Sequence, residues 1–237
     1  MKRLAILGAS GHGKVVADIA KCCGWEEIVF FDDAFPKKTT LEDWLIVGNT
    51  QVFLSSMNDY DGCIVAIGNN VTRLDKTRLL ISSGAPIISL MHPTSVISKY
   101  SSIGLGSVVM ANAVINPFSK IGLACIVNTS ATIDHDCELM EAVHVSPGAN
   151  LAGSVKVKEC TSIGIGASIN QGLSIGKNVI IGAGSVVVND IPDNVISVGI
   201  PSKVIRGFKC QIIHFLRGLP ILKKKQMLFT IPYCLIR

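Results

Sequence analysis

From residue 97 onward an aliphatic residue returns at every sixth position: Ile97, Ile103, Val109, Ile115 and so on to Val187, sixteen consecutive hexads with no exception. Ile, Leu and Val together make up 72 of the 237 residues, so a run of this kind has a chance on the order of 10⁻⁸ in any one register. Four residues after each aliphatic the positions are mostly small or β-branched, as at Ser107, Ala113, Ser119, Cys125, Ala131, Ala149, Thr161, Ala167 and Ser185. Gly follows the aliphatic directly at 104, 122, 164, 176 and 182. A period of six suits neither a helix nor a flat strand. It suits a coil of short sides, each sending one aliphatic inward and each ending in a turn that calls for Gly or Asn. Three sides make an 18-residue rung, so about five rungs of parallel β-helix are expected over 97–187.

The first ninety residues follow a different pattern. Residues 3–8 (RLAILG) are a short apolar run that predicts a buried strand, and 13–23 predict a helix. Strands are expected again at 27–31 (EIVFF), 62–67 (GCIVAI) and 86–90, with a helix at about 70–83. This alternation is that of an α/β, Rossmann-like module. Three polar signals fall at the carboxyl ends of its strands, where open α/β sheets bind ligands. The first is Gly8-Ala9-Ser10-Gly11-His12-Gly13, a G-x-x-G-x-G loop rather than the G-x-G-x-x-G of dinucleotide enzymes. It still offers close backbone approach and a helix N-terminus to a phosphate. The others are Asp32-Asp33, able to accept hydrogen bonds from a ribose or base, and Gly68-Asn69-Asn70. Together they predict nucleotide binding.

Composition sharpens the picture in three ways. A chain 49% hydrophobic and 16% charged is core-forming, which excludes disorder. The net charge of +5 is unevenly placed: residues 1–202 hold 14 basic and 17 acidic side chains, whereas the stretch from Lys203 holds eight basic and no acidic ones. Uniform nucleic-acid binding is therefore not expected, and an anionic surface would be met by the basic, apolar stretch 208–237, which reads equally as a membrane-surface or partner-docking segment and as a loosely packed appendage. The eight cysteines show no C-x-x-C pair, and the adjacent Cys22 and Cys23 suit a reducing compartment. With no signal-peptide pattern at the N-terminus and no run of about 18 apolar residues, a cytoplasmic protein is expected.

Among the five histidines, His92 before Pro93 reads as structural, and His214 receives no role. His135 stands apart, in Ile133-Asp134-His135-Asp136-Cys137. The aliphatic column fills the interior, so this side chain must point outward between two carboxylates, which raise its basicity and fix its tautomer. A general base for an amine or hydroxyl nucleophile needs those properties. Steps of 18 from His135 reach Gly153 and Gln171, so these should stack. A glycine above the base leaves room for a thioester and exposes an N–H to an oxyanion. His144 lies half a rung away, on a different face, so the two imidazoles can converge only between subunits. The column Pro147, Ile165, Ala183 could line a groove for an extended co-substrate.

The combination GASGHGKVV, FDD, AIGNN, NTSATIDHDC, VHVSPGANLAG and VGIPSKVIRG, spanning residues 1 to about 207, resembles the nucleotide-sugar N-acetyltransferases of bacillosamine-type pathways and their sialic-acid O-acetyltransferase relatives. The resemblance implies a left-handed hand for the β-helix, a homotrimer with active sites between subunits, acetyl-CoA as co-substrate, no metal, and a nucleotide-linked aminosugar held by the N-terminal domain. It implies domains at 1–90 and 91–207, with 208–237 beyond its reach. His135 would be the base and Asp136 its partner. His144, Gly153, Ile165 and Ala183 would contact acetyl-CoA, and Asn128 would lie near the acceptor. Ser10, Gly11, His12, Asp32, Asp33, Gly68 and Asn69 would hold the nucleotide sugar. Transfer would be direct, with Cys137 a packing residue. The expected reaction is N-acetylation of a nucleotide-linked 4-amino-4,6-dideoxysugar (UDP- or dTDP-linked), with O-acetylation of sialic acid the alternative. A zinc lyase on the same β-helix would need three converging histidines, and only His135 and His144 lie in the hexads. A non-catalytic scaffold is the remaining alternative.

Overall fold

In the computed structural model of the chain, which describes residues 2–207, each hexad becomes a two-residue strand ending on its aliphatic residue, from Val96–Ile97 to Val186–Val187. Each strand pairs in parallel with the strand 18 residues away, Val114 with Thr132 and Ile115 with Ile133 for example. The result is a three-sided prism. Face A carries the strands ending at 97, 115, 133, 151, 169 and 187, and face B those ending at 103, 121, 139, 157 and 175. Face C carries those ending at 91, 109, 127, 145, 163 and 181, and is closed by Val195–Val198 and Lys203–Gly207. The aliphatic column and the small-residue column four positions later both point inward and form one continuous core. Hydroxyls in the second column are tied to the corners: Ser119 Oγ donates to the Asp134 carbonyl at 2.6 Å and accepts from Cys137 N–H at 3.1 Å. Burial of that polar group is thus compensated.

The corners differ from expectation. Backbones with positive φ recur every six residues from Gly106 to Gly184, three positions after the aliphatic rather than next to it, and nine of these fourteen residues are not glycine. A Cβ in this left-handed region costs roughly 1 kcal/mol per residue. The stack offsets that cost, because from Ala124 onward the corner N–H groups donate to the rung before, as Ala124 does to Leu105 at 2.9 Å and Asp136 to Pro117 at 3.1 Å. The glycines directly after the aliphatic serve close approach instead. A Cβ on Gly164 would stand 2.5 Å from the Ile181 carbonyl oxygen of the next rung. Gly164→Ala should therefore destabilise the fold by about 2–3 kcal/mol through overpacking against backbone. Gly148→Ala, at φ 65 with nothing within 4 Å of its Cβ, should cost about 1 kcal/mol. Urea unfolding midpoints of the two variants check this order.

The N-terminal module is a five-stranded sheet of order β3-β4-β2-β1-β5, with β1 at Arg3–Leu7, β2 at Glu27–Phe31, β3 at Thr40–Leu41, β4 at Trp44–Gly48 and β5 at Gly62–Val65. All its pairings are parallel except the β3–β4 hairpin. Three helices accompany it: α1 at Gly11–Cys22, α2 at Thr50–Ser56 and α3 at Asn70–Ser82. The strand expected at 86–90 is not formed there. Only Ile87 bridges to Cys63, and the chain then leaves the sheet so that Leu90–Met91 opens face C of the prism. Apolar packing to face C outweighs extension of the sheet edge. Val108, Met110 and Ile126 on the outer side of face C share a core with Leu4, Ile6 and Val16 of the module. Residues 2–207 thus pack as one compact unit. The stretch 208–237, with its basic, apolar character and His214, lies outside the described residues.

Candidate active site

His135 emerges at the corner between faces A and B, exposed as the column argument requires. Its Nδ1 lies 2.8 Å from Asp136 Oδ2, and its backbone N–H donates to Asp134 Oδ1 at 2.8 Å. Asn116 Nδ2 donates to the same Asp134 oxygen at 2.9 Å and steadies it. Asp136 occupies a left-handed corner at φ 58, which turns its short side chain back onto the adjacent ring. With Nδ1–H donating to the carboxylate, the Nε2 lone pair is free to take a proton. The hydrogen bond to Asp136, and then the Asp134 charge, raise the imidazole pKa above its ordinary value.

Gly153 is buried directly over this ring, so that a Cβ there would lie 2.6 Å from both Nε2 and Cε1. Backbone bonds step along the same corner, Ser154 N–H to the His135 carbonyl at 2.8 Å and Gly172 N–H to that of Gly153 at 2.9 Å, and Gln171 is exposed beyond. Cys137 is a core residue with its thiol against the Ala152 carbonyl, and burial raises its pKa. Ile165 and Ala183 lie exposed in one column with Pro147, joined by Gly166 N–H to the Pro147 carbonyl and Gly184 N–H to that of Ile165. An extended co-substrate could lie along this bare column.

His144 is on face C, where the N-terminal module covers it, and so not beside His135. Asn128, one rung earlier on the same face, places Nδ2 3.1 Å from His144 Nε2. Burial, and then the Arg73 cation, hold the His144 pKa down at about 4. His12, at the start of α1, is pushed down to about 3 by burial, then Arg73, then His144. Its Nε2 is buried without a hydrogen-bond partner. Both rings are therefore neutral near pH 7. One chain thus keeps apart a basic imidazole at an open corner and a neutral His–Asn pair beneath the α/β module.

Around the glycine loop, Ser10 opens α1 without a side-chain cap bond, and no acid lies in the first turn, which leaves helix N–H groups free for an anion. Ser10 and Gly11 are exposed. Asp32 accepts from Ala9 N–H at 2.7 Å and Ala34 N–H at 2.9 Å, so its first duty is to hold the loop. Asp33 is engaged by Thr50 and by Lys76 Nζ at 2.7 Å. Burial works against its charge, but the bonds from Lys76 and Thr50 outweigh it and hold the carboxyl at about 2. Asn69 caps α3 by accepting from Thr72 N–H at 3.0 Å, and Gly68 before it is exposed. Sequence reasoning missed Lys76 and Arg73, because no local pattern distinguishes them from other polar helix residues, and it placed Asn70 only in the glycine–asparagine turn, without its contacts to the prism. Among the described residues no three His, Cys, Asp or Glu converge as a metal site, and no helix is long and apolar enough to cross a membrane.

The prism with its α/β cap and corner His–Asp pair defines a left-handed β-helix, hexapeptide-repeat acyltransferase. Residues 3–79 match the PglD N-terminal domain. The chain superposes with a TM-score of 0.82 and 42% identity on the acetyltransferase domain of PglB from Neisseria gonorrhoeae, solved with acetyl coenzyme A, covering 86% of this chain and 99% of that one. A perosamine N-acetyltransferase variant from Caulobacter crescentus, solved with CoA and GDP-perosamine, matches with a TM-score of 0.83 and 35% identity over 88% of this chain and 98% of that one. UDP-N-acetylbacillosamine N-acetyltransferase from Bacillus subtilis is 36% identical over 113 residues, which are 47% of this chain and 52% of that protein. The chain belongs to the PglD-like family of acetyl-CoA-dependent sugar N-acetyltransferases.

The raised His135 pKa gives a pH test. If His135 is the general base it works only when neutral, so kcat/KM should fall as pH drops through that pKa. Asp136→Asn removes the main cause of the shift, so the acid limb should move to lower pH while the plateau falls about 10-fold, the neutral amide no longer stabilising the imidazolium. A pH–rate profile with the limb unmoved would remove Asp136 from the role of basicity partner.

Proposed function

We propose that this protein transfers the acetyl group of acetyl-CoA to the 4-amino group of a nucleotide-linked 4-amino-4,6-dideoxysugar. The observation that carries the reading is the His135–Asp136 pair, with its free Nε2 over the bare backbone of Gly153. The amine lone pair attacks the thioester carbonyl carbon while His135 Nε2 takes the ammonium proton. The tetrahedral oxyanion, held by a backbone N–H near Gly153, collapses with cleavage of the C–S bond, and CoA leaves as thiolate. No covalent enzyme intermediate enters, in keeping with a Cys137 thiol sealed in the core.

In this reading residues 1–90 form the nucleotide-sugar module and 91–207 the acyl-transfer column. Ser10, Gly11, His12, Asp32, Asp33, Gly68 and Asn69 hold the nucleotide sugar, with the helix α1 N-terminus toward its phosphates. Gly153, Ile165 and Ala183 line the path of acetyl-CoA. The separation of His135 from His144 and Asn128 within one chain supports a homotrimer whose sites pair one subunit's open corner with the covered face of the next. The setting is the cytoplasm. The relatives named for bacillosamine and perosamine acetylation support the aminosugar class.

The test is acetyl-CoA turnover against UDP-, dTDP- and GDP-linked 4-amino-4,6-dideoxysugars with free sialic acid alongside. Turnover on at least one aminosugar nucleotide is expected. Turnover on sialic acid alone would replace the reading with O-acetylation.

A further inference from the structure

Arg73 is 1% exposed, and among the described residues it has no carboxylate partner. Its guanidinium is spent on neutral oxygens from two separate parts of the chain. Nη1 donates to the carbonyls of Ile67 at 3.0 Å and Gly68 at 3.1 Å, which end strand β5 at the glycine–asparagine turn. Nε donates to the carbonyl of Ala124 at 2.7 Å and Nη2 to that of Ala142 at 3.1 Å. These two alanines are successive left-handed corners of one edge of the prism. Nη2 also donates to Asn70 Oδ1 at 2.8 Å, and Asn70 Nδ2 carries the contact one rung further, to the Cys160 carbonyl at 3.1 Å and Ser162 Oγ at 2.9 Å.

Burial of a cation without a counter-ion is costly, and an apolar side chain of similar volume commonly serves packing as well or better. Here the donor fork matches carbonyls at both ends, a geometry that a point-charge ammonium cannot reproduce. The corners it holds lie on the rungs of the neutral His–Asn pair: Asn128 follows Ala124 by four residues, and His144 follows Ala142 by two. The turn at its other end carries Gly68 and Asn69 of the nucleotide module.

We propose that Arg73 is a positioning residue, a strut that fixes the distance and register between the nucleotide-holding loops and the rungs bearing Asn128 and His144, so that the sugar bound at one end reaches the thioester at the other. The proposal rests on the acetyl-transfer reading above. Arg73 touches no reacting atom in this scheme, and its effect is on alignment.

The test uses the full chain with Arg73→Lys. The Kd for acetyl-CoA should stay within about twofold of wild type, while kcat with both substrates saturating falls about 10- to 30-fold and the KM for the nucleotide sugar rises, as misalignment of a bound pair predicts. Hydrogen exchange should quicken at residues 67–70 and at the Ala124 and Ala142 corners, and not in faces A and B. Should Arg73→Lys not fold, Asn70→Ala keeps the charge, removes one acceptor and the outer rung contacts, and should give the same split at smaller size. Kinetic constants per folded molecule within threefold of wild type would overturn the proposal, as would a common rise in both KM values that merely tracks lost stability. If wild type acetylates no aminosugar nucleotide, the functional reading fails, and localised exchange in the variant still reports on the strut.

Discussion

Replacement of His135 by alanine is expected to lower kcat by about 10³-fold and leave the Kd for acetyl-CoA within about twofold. The side chain is exposed and its ring bonds only to Asp136, so the substitution removes no core contact and the melting temperature should stay near wild type. What it removes is the proton acceptor. The neutral amine attacks, and the nitrogen, made cationic by the new C–N bond, must give up a proton before the tetrahedral adduct can collapse to the amide. The imidazole offers an acceptor whose basicity is raised by Asp136 and Asp134. Steady-state kinetics and calorimetric titration of acetyl-CoA would check both halves. Full kcat in the variant would remove His135 from the chemistry, and loss of acetyl-CoA binding would make it a co-substrate contact instead.

The second large effect is expected from the addition of one methyl group. Gly153→Ala places a Cβ 2.6 Å from His135 Nε2 and Cε1 and 3.2 Å from Nδ1. Gly153 does not have a positive φ, so alanine adds no backbone strain, and the clash falls on an exposed, rotatable ring that can swing aside. Stability should therefore change by less than about 0.5 kcal/mol. The swing breaks the Nδ1–Asp136 hydrogen bond and carries Nε2 away from the space over the backbone, at a cost of about 10²-fold in kcat/KM. The paired readout is a thermal melt with kinetics on the same sample. Activity within threefold of wild type would mean that the ring over Gly153 is not in its working position.

Much of the architecture is legible in the sequence. The hexads predicted the prism, its 18-residue rung and the outward direction of His135, and 18-residue steps placed Gly153 over that ring. The module's first two strands and its first and last helices fall where the apolar runs predicted them. The β3–β4 hairpin and α2 are not among the elements the pattern predicts, and the run at 86–90, expected as a strand, crosses to the prism instead. The corners also follow a rule other than the expected one. Glycine after the aliphatic suggested a turn, whereas that position answers to the backbone of the next rung, and the true turn residue is most often not glycine.

The candidate site divides along the same line. The repeat could place Asp134, His135 and Asp136 at a corner, because their geometry is set within one rung. It could not show that Asp33 is taken up by Thr50 and Lys76, that His144 is covered and paired with Asn128, or that His12 is buried with Nε2 unpartnered.

The sequence by itself determined the repeat-built half, because a period of six returns the same inward-facing positions to the axis in every hexad, and the same local choice is made sixteen times over. Only the tertiary structure decided how the α/β module meets face C. That junction is made by single side chains reaching far along the chain, Arg73 to carbonyls 51 and 69 positions away and Asn70 to one 90 away. Contacts of that kind leave no period in the sequence, since the partners are backbone oxygens that every residue possesses.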